Sequence, residues 1–155
     1  MTTRHPPAID DESLVAALRL AAGKDPVPAH VLSASRAAFG LRVPGASTAV
    51  PVSTPAPAGV RSAEGARLLR FSVAGLVVEL EIVPVDGLVD LAGQVSPLPE
   101  AGTTVEVRTP HLTASRELSA TGQFAVTGLP PGWFSVVCRR PGHGPVVTSW
   151  TRIRP

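Results

Sequence analysis

Cys138 is the strongest nucleophile that this sequence offers, and it is the only cysteine among 155 residues. A cysteine becomes a nucleophile or a redox sensor when a basic neighbour lowers its pKa. In the run WFSVVCRR, Cys138 alternates with Phe134 and Val136, which places all three on the inward face of one strand. Buried cysteines are usually inert, so we expect a core residue. A lone cysteine also excludes an internal disulfide and a multi-cysteine zinc site.

The histidines and the paired carboxylates give no stronger indication of catalysis. The four histidines lie apart in the sequence, without the spacing of metal ligands. Glu79 and Glu81 share one strand face about 7 Å apart and could mimic a glycosidase pair, but a solvated strand face explains them more simply. No nucleophile, base and oxyanion-binding set can be assembled. The sequence therefore predicts a protein that is not an enzyme and that needs no cofactor or metal. The histidines are His5, His30, His111 and His143.

The C-terminal stretch 131–155 is basic and contains no acidic residue. Its arginines could bind phosphate or an acidic protein partner through charge-assisted hydrogen bonds, or they could be ordinary solubilising charge. Nucleic-acid binding is disfavoured, because no aromatic stacking platform accompanies them and the pI of about 9.5 is only mildly basic. The residues concerned are Arg139, Arg140, Arg152 and Arg154.

Residues 10–40 predict an N-terminal αα-hairpin. Asp10 or Asp11 can cap the first helix, and the acidic first turn suits the helix dipole. The sequence DPVP then breaks the chain before a second helix that ends near Phe39. Two helices of about 12 residues are marginal alone, so their apolar stripe must pack on the rest of the chain or on another protein. The stripe is Leu14, Leu18, Leu32 and Phe39.

Residues 41–66 are rich in proline, alanine, serine and threonine and show no hydrophobic periodicity. Such a segment cannot bury enough apolar surface to offset the entropy of ordering it. We expect a disordered linker that frees the hairpin from the C-terminal part of the chain.

Residues 67–155 predict a β domain. Short runs with a period of two recur at intervals typical of strands and are separated by Gly/Pro turns, a pattern that favours an antiparallel sandwich or barrel. Ala74 and Gly75 suggest a tight hairpin between the first two runs. The predicted strands are 67–73, 77–83, 88–96, 103–109, 112–118, 123–129, 133–140 and 145–153.

The pattern LAGQVSPLPEAGTTVEVRT…ATGQFAVTGLPPGWFSVVC resembles the carboxypeptidase regulatory-like, or transthyretin-like, β-sandwich. The resemblance covers residues 89–139 and implies a seven- to eight-stranded antiparallel sandwich without chemistry of its own. Its motif positions are Gly93, Val95, Thr104, Val105, Val107, Gly122, Phe124, Leu129, Pro130, Gly132 and Phe134.

The whole chain also resembles small actinobacterial proteins that combine an acidic first helix, a DPVP turn, a second helix ending Ala-Ala-Phe and a β domain. Such proteins are typically encoded beside extracytoplasmic-function sigma factors and caspase-like CHAT proteases. The resemblance implies a sigma factor or a CHAT protease as the protein partner. The chain departs from that group after Phe39, where it enters the Pro/Ala-rich segment instead of a further charged helix.

The sequence thus favours a cytoplasmic, non-enzymatic adaptor without a membrane span. Its expected partner-binding residues are the helical stripe together with Arg139 and Arg140. The alternative is a β-sandwich that binds a carbohydrate or another small ligand, with an exposed Trp133 or Trp150 as the stacking surface.

Overall fold

The computed structural model describes residues 10–24, 27–53 and 65–153. The chain divides into two units, residues 1–40 and residues 41–155. The described part of the first unit is helical, and that of the second is built from strands. None of the helices in the described residues is long and apolar enough to cross a membrane.

The first unit contains α1 (Asp11–Lys24) and α2 (Ala29–Gly40), the two helices that the sequence predicts. Asp10 caps α1, because its Oδ1 accepts a hydrogen bond of 2.7 Å from the backbone N–H of Ser13. This bond lowers the pKa of Asp10 by favouring the carboxylate. At the start of α2, the carbonyl of Pro28 accepts hydrogen bonds from the N–H groups of Val31 and Leu32. Local signals therefore account for both helix starts.

In the second unit the described residues form ten strands. They are β1 (Ser47–Pro51), β2 (Arg67–Val73), β3 (Leu76–Val85), β4 (Leu88–Ser96), β5 (Thr104–Arg108), β6 (Thr113–Glu117), β7 (Gln123–Leu129), β8 (Gly132–Arg139), β9 (Val146–Thr148) and β10 (Thr151–Ile153). The order along the sheet is β6-β5-β8-β9-β1-β2-β3-β4-β7. Both β9 and β10 pair with the same edge of β8: β9 pairs near the end of β8, and β10 pairs near its start. The end strands β6 and β7 also approach each other, so the sheet is nearly closed.

The prediction of a mainly β domain is confirmed, and all but one of the strand pairs among the described residues are antiparallel. The predicted seven- to eight-stranded antiparallel sandwich differs from the structure in two respects. The described residues form ten strands, and β1 runs parallel to β9. One extra strand arises because the segment 145–153 is divided into β9 and β10, which pair with opposite ends of β8.

The other extra strand, β1, lies inside the segment for which we expected a linker. Ala49 is its single buried residue, at 1% exposure. One small buried side chain among prolines, serines and threonines gives no periodic signal, so the strand is visible only through its pairing with β9 and β2. Residues 54–64, the middle of the expected linker, lie outside the described residues.

The core lies inside this sheet and is built mainly from valine, leucine and isoleucine, with three phenylalanines. Phe134, Val136 and Cys138 are all buried, as the alternation in their strand predicts. Val105 and Val107 of β5 pair with Cys138 and Val136 of β8, so the inward faces of the two strands meet. Each such side chain contributes about 1.5–3 kcal/mol by leaving water.

Two glycines explain how β4 and β7 pack closely. Phe124 lies opposite Gly93, and a Cβ at Gly93 would overlap its ring. Gly122 has a φ of 80°, a left-handed conformation that favours glycine, and a Cβ there would lie 2.5 Å from the carbonyl oxygen of Val95. Since the N–H of Val95 donates to the carbonyl of Gly122 at 2.9 Å, these motif positions form one cluster across two paired strands.

The predicted tight hairpin between β2 and β3 is present. Ala74 and Gly75 have φ values of 46° and 81°, and the flanking residues Val73 and Leu76 pair with each other. Two consecutive positive φ angles are those of a type I′ turn, whose twist matches that of the paired strands. This turn sets the register of β2 against β3.

Candidate functional site

The predicted helical stripe lies on α1 and α2, and its side chains are exposed. Leu14, Leu18, Leu32 and Phe39 expose 48%, 60%, 43% and 68% of their surface. Every residue whose burial is described in the two helices is exposed. Leu14 and Leu18 are four residues apart, and Leu32 and Phe39 are seven apart, so each pair shares one helix face. Further exposed apolar residues of the same helices are Val15, Leu20 and Val31.

The two predicted arginines at the end of β8 have different surroundings. Arg139 donates from Nε to Oε1 of Glu106 on β5 at 2.8 Å, and this hydrogen bond raises the pKa of Arg139. Its charge is therefore already matched within the β unit. Arg140 is partly buried, and its Nε atom has no hydrogen-bond partner among the described residues.

The structure does not bring the C-terminal arginines together. Arg152 on β10 pairs with Trp133 at the start of β8, whereas Arg139 is at its end. Six residues of strand at about 3.3 Å each separate the two ends by roughly 20 Å. Arg154 lies outside the described residues.

Cys138 is buried at 1% exposure, as expected of a core residue. Burial raises the pKa of its thiol, and the nearby positive charge of Arg140 offsets this only in part. The raised pKa favours the protonated thiol, which is the less nucleophilic form.

The remaining titratable candidates lie on the surface. His30, His111 and His143 are exposed, and His5 lies outside the described residues. Among the described residues no group of three or more His, Cys, Asp or Glu side chains could hold a metal ion. Glu79 and Glu81 are exposed on β3, and Glu79 pairs with Arg70 of β2 at 3.5 Å. Their surroundings are those of a solvated strand face.

One cluster on the β unit could not be recognised from the sequence. Trp133 is 50% exposed on the outward face of β8, whereas Trp150 is partly buried. Arg152 lies directly opposite Trp133 on β10. Arg108 of β5 lies opposite Ser135, which is on the same face of β8 two positions along but is itself buried, at 1% exposure. We call Trp133, Arg108 and Arg152 the Trp133 patch.

The geometry of the Trp133 patch is a consequence of strand pairing. Directly opposite side chains have Cβ atoms about 4.5–5.5 Å apart, and diagonal neighbours about 7–8 Å. The Cβ atoms of Arg152 and Arg108 therefore lie on opposite sides of the Cβ atom of Trp133. Beside the patch, Arg67 donates from Nη1 to the carbonyl oxygen of Arg152 at 3.3 Å. Arg108 and Arg152 are 44 residues apart in sequence, so their meeting around Trp133 could not be found without knowing which strands pair with β8.

Comparisons with protein-family models, with curated proteins and with solved structures find no match for this chain. Two surfaces of the described residues combine exposure with a definite chemistry: the apolar stripe of the helices and the Trp133 patch of the β unit.

Proposed function

We propose that this protein is a non-enzymatic adaptor whose helical unit binds a protein partner. The observation that supports this most directly is the exposure of the helical stripe, in which Leu18 and Phe39 leave 60% and 68% of their surface accessible. Amphipathic helices that present such side chains at i, i+4 and i+7 bind hydrophobic grooves of other proteins.

The energetics favour the same conclusion. Helices of 14 and 12 residues are marginal in water, and most helices in proteins are stabilised by packing of an apolar face. Full burial of each leucine against a partner would contribute about 1.5–3 kcal/mol. Binding would therefore stabilise the helices as it covers their stripe.

We infer that the β unit is the carrier of this helical unit and that it is a carboxypeptidase regulatory-like domain. The contacts among Gly93, Phe124, Gly122 and Val95 give a physical reason for four positions of that family's motif. The resemblance of the whole chain further implies a cytoplasmic partner of the sigma-factor or CHAT-protease class.

Affinity purification of the tagged full-length chain from its native cells tests the adaptor proposal. The double variant Leu18→Ser/Leu32→Ser should lose the partner, because it removes apolar surface from both helices. Leu68→Ser is the matched control, since Leu68 on β2 is 54% exposed and lies in the other unit. If the double variant retains every partner, the adaptor proposal is wrong. A partner that is neither a sigma factor nor a CHAT protease would contradict only the proposed class of partner.

A second candidate function is ligand binding by the β unit, as a domain that takes up a carbohydrate or another small ligand. The half-exposed indole of Trp133 favours it, because a flat aromatic face in water can stack on a planar or ring-shaped ligand. In a Trp150→Phe variant, Trp133 would be the sole tryptophan. Unchanged fluorescence of that variant across a panel of oligosaccharides and nucleotides would contradict this second function.

A further inference from the structure

The Trp133 patch has a composition that points to a ligand with a flat face and negative charge. We propose that it binds single-stranded nucleic acid, with an unpaired base stacked on Trp133 and the adjoining phosphates held by Arg108 and Arg152. The inference is independent of the helical stripe. It deepens the second candidate function and rests on it, by naming the class of ligand.

The aromatic part of the patch is available for stacking. Trp133 is 50% exposed, while Phe134, the next residue on the opposite face of β8, is 1% exposed. Base-on-aromatic stacking tolerates any base, because every base has a flat π face. The sequence disfavours nucleic acid because the pI is only mildly basic and because no such platform is visible beside the arginines. The pairing of β8 with β5 and β10 supplies it.

The positive charges of the patch are not matched by carboxylates. Among the described residues, ion pairs involve Arg70 with Glu79 and Arg139 with Glu106, and neither Arg108 nor Arg152 takes part in one. Glu106, the acidic residue on the outward face of β5, lies opposite Val137 and holds Arg139. Arg108 and Arg152 therefore keep their donors for a ligand, and a guanidinium matches phosphate oxygens in bidentate geometry.

The combination of groups selects the ligand class. A neutral sugar would use the indole but leave both arginines without a role, and an acidic peptide would use the arginines without needing a flat face. A nucleotide unit engages both. The strand must be single, because in a duplex the faces of the bases are covered by their neighbours and an indole on a sheet surface cannot reach them.

Fluorescence titration with a short oligothymidylate at low salt tests the inference, in the full-length Trp150→Phe chain. Binding should quench the emission of Trp133, and the affinity should fall as salt rises. Arg108→Ala and Arg152→Ala should each reduce the salt slope by about one. In the otherwise native chain with a labelled oligothymidylate, Trp133→Ala should weaken binding about 5- to 150-fold, the equivalent of losing one stacked base.

Arg116→Ala is the matched control. Arg116 is an exposed arginine of β6 that lies opposite the inward-facing Val105, away from the outward face of β8. Its loss should leave the affinity unchanged within about 2-fold, since it removes the same charge without touching the patch.

Several results would overturn the inference. These are no quenching at low salt, equal binding of duplex DNA or polyglutamate, or equal losses for Arg116→Ala and the patch variants. Quenching by neutral oligosaccharides but not by oligothymidylate would overturn the nucleic-acid inference and keep the second candidate function. If neither oligosaccharides nor oligothymidylate quench the emission, both the second candidate function and the nucleic-acid inference are wrong. The proposal that the helical stripe binds a partner would be unaffected.

Discussion

The helical unit and the β unit are stabilised by opposite means. In α1 and α2 every residue whose burial is described is exposed, and both helix starts rest on contacts within four residues. Among the described residues of the β unit, twenty apolar side chains are buried, and strands far apart in sequence hold them there. Local signals can thus specify a helix completely and yet leave its apolar side chains exposed.

The largest expected effect is the loss of a core aromatic from the β unit. Phe134→Ala should lower the free energy of unfolding by about 3–5 kcal/mol, because it removes a fully buried ring and leaves a cavity. Denaturant unfolding followed by tryptophan fluorescence measures it, since both tryptophans lie in this unit. Leu18→Ala is the control and should change that transition by less than about 0.5 kcal/mol. Equal effects of the two variants would contradict the contrast between the units.

A smaller effect is expected at the close approach of β4 and β7. Gly93→Ala should cost about 1–3 kcal/mol, because the new methyl group would overlap the ring of Phe124. The same unfolding experiment measures it. Combining the change with Phe124→Leu should restore part of the loss relative to the two single variants. Strictly additive losses would show that the ring of Phe124 is not what excludes a side chain at Gly93.

In the helical unit, by contrast, a glycine-to-alanine substitution should stabilise the fold. Gly23 lies in α1 with open space around its would-be Cβ. Gly23→Ala should therefore stabilise the helix by about 0.5–1 kcal/mol through its higher helix propensity. Far-UV circular dichroism should show increased helicity, with the tryptophan-detected transition of the β unit unchanged. A loss of helicity would mean that Gly23 ends the helix rather than continuing it.

The smallest expected effect is the pH dependence of the Asp10 cap. The hydrogen bond from Ser13 lowers the pKa of Asp10 in the folded helix, so its stabilisation is present above the ordinary carboxyl pKa. It is lost as the pH falls through the lowered value. Helicity of the full chain should decline over that range. Asp10→Asn keeps an acceptor for the Ser13 N–H but cannot titrate, so it should remove this part of the decline. An identical pH profile in the variant would contradict the capping role.

Short-range features could be predicted from the residues. The Asp10 cap, the helix-breaking sequence DPVP and the spacing of Leu14 and Leu18 act within one or two helical turns, so the sequence predicts both helices where they occur. Alternation within β5 and β8 likewise placed Val105, Val107, Phe134 and Cys138 inside, because the period of two is a property of each strand alone.

The parts that could not be predicted depend on which strands are neighbours. β1 has one small buried residue and is a strand because β9 and β2 supply its partners. The Trp133 patch likewise depends on β8 pairing with β5 on one edge and with β10 on the other. No local pattern encodes such pairings, since any strand of suitable length could provide the hydrogen bonds.

The amino-acid order therefore specifies the helices, most of the strands and the sides on which their residues face, because these depend on hydrogen bonds and periodicities within a few residues. Which strands are neighbours in the sheet determines the surface clusters. It separates Arg139 from Arg152, pairs the former with Glu106, and leaves Arg108 and Arg152 beside an exposed indole. The physical reason is that neighbours on a sheet are selected by the packing of the whole core, and surface clusters are a consequence of that selection.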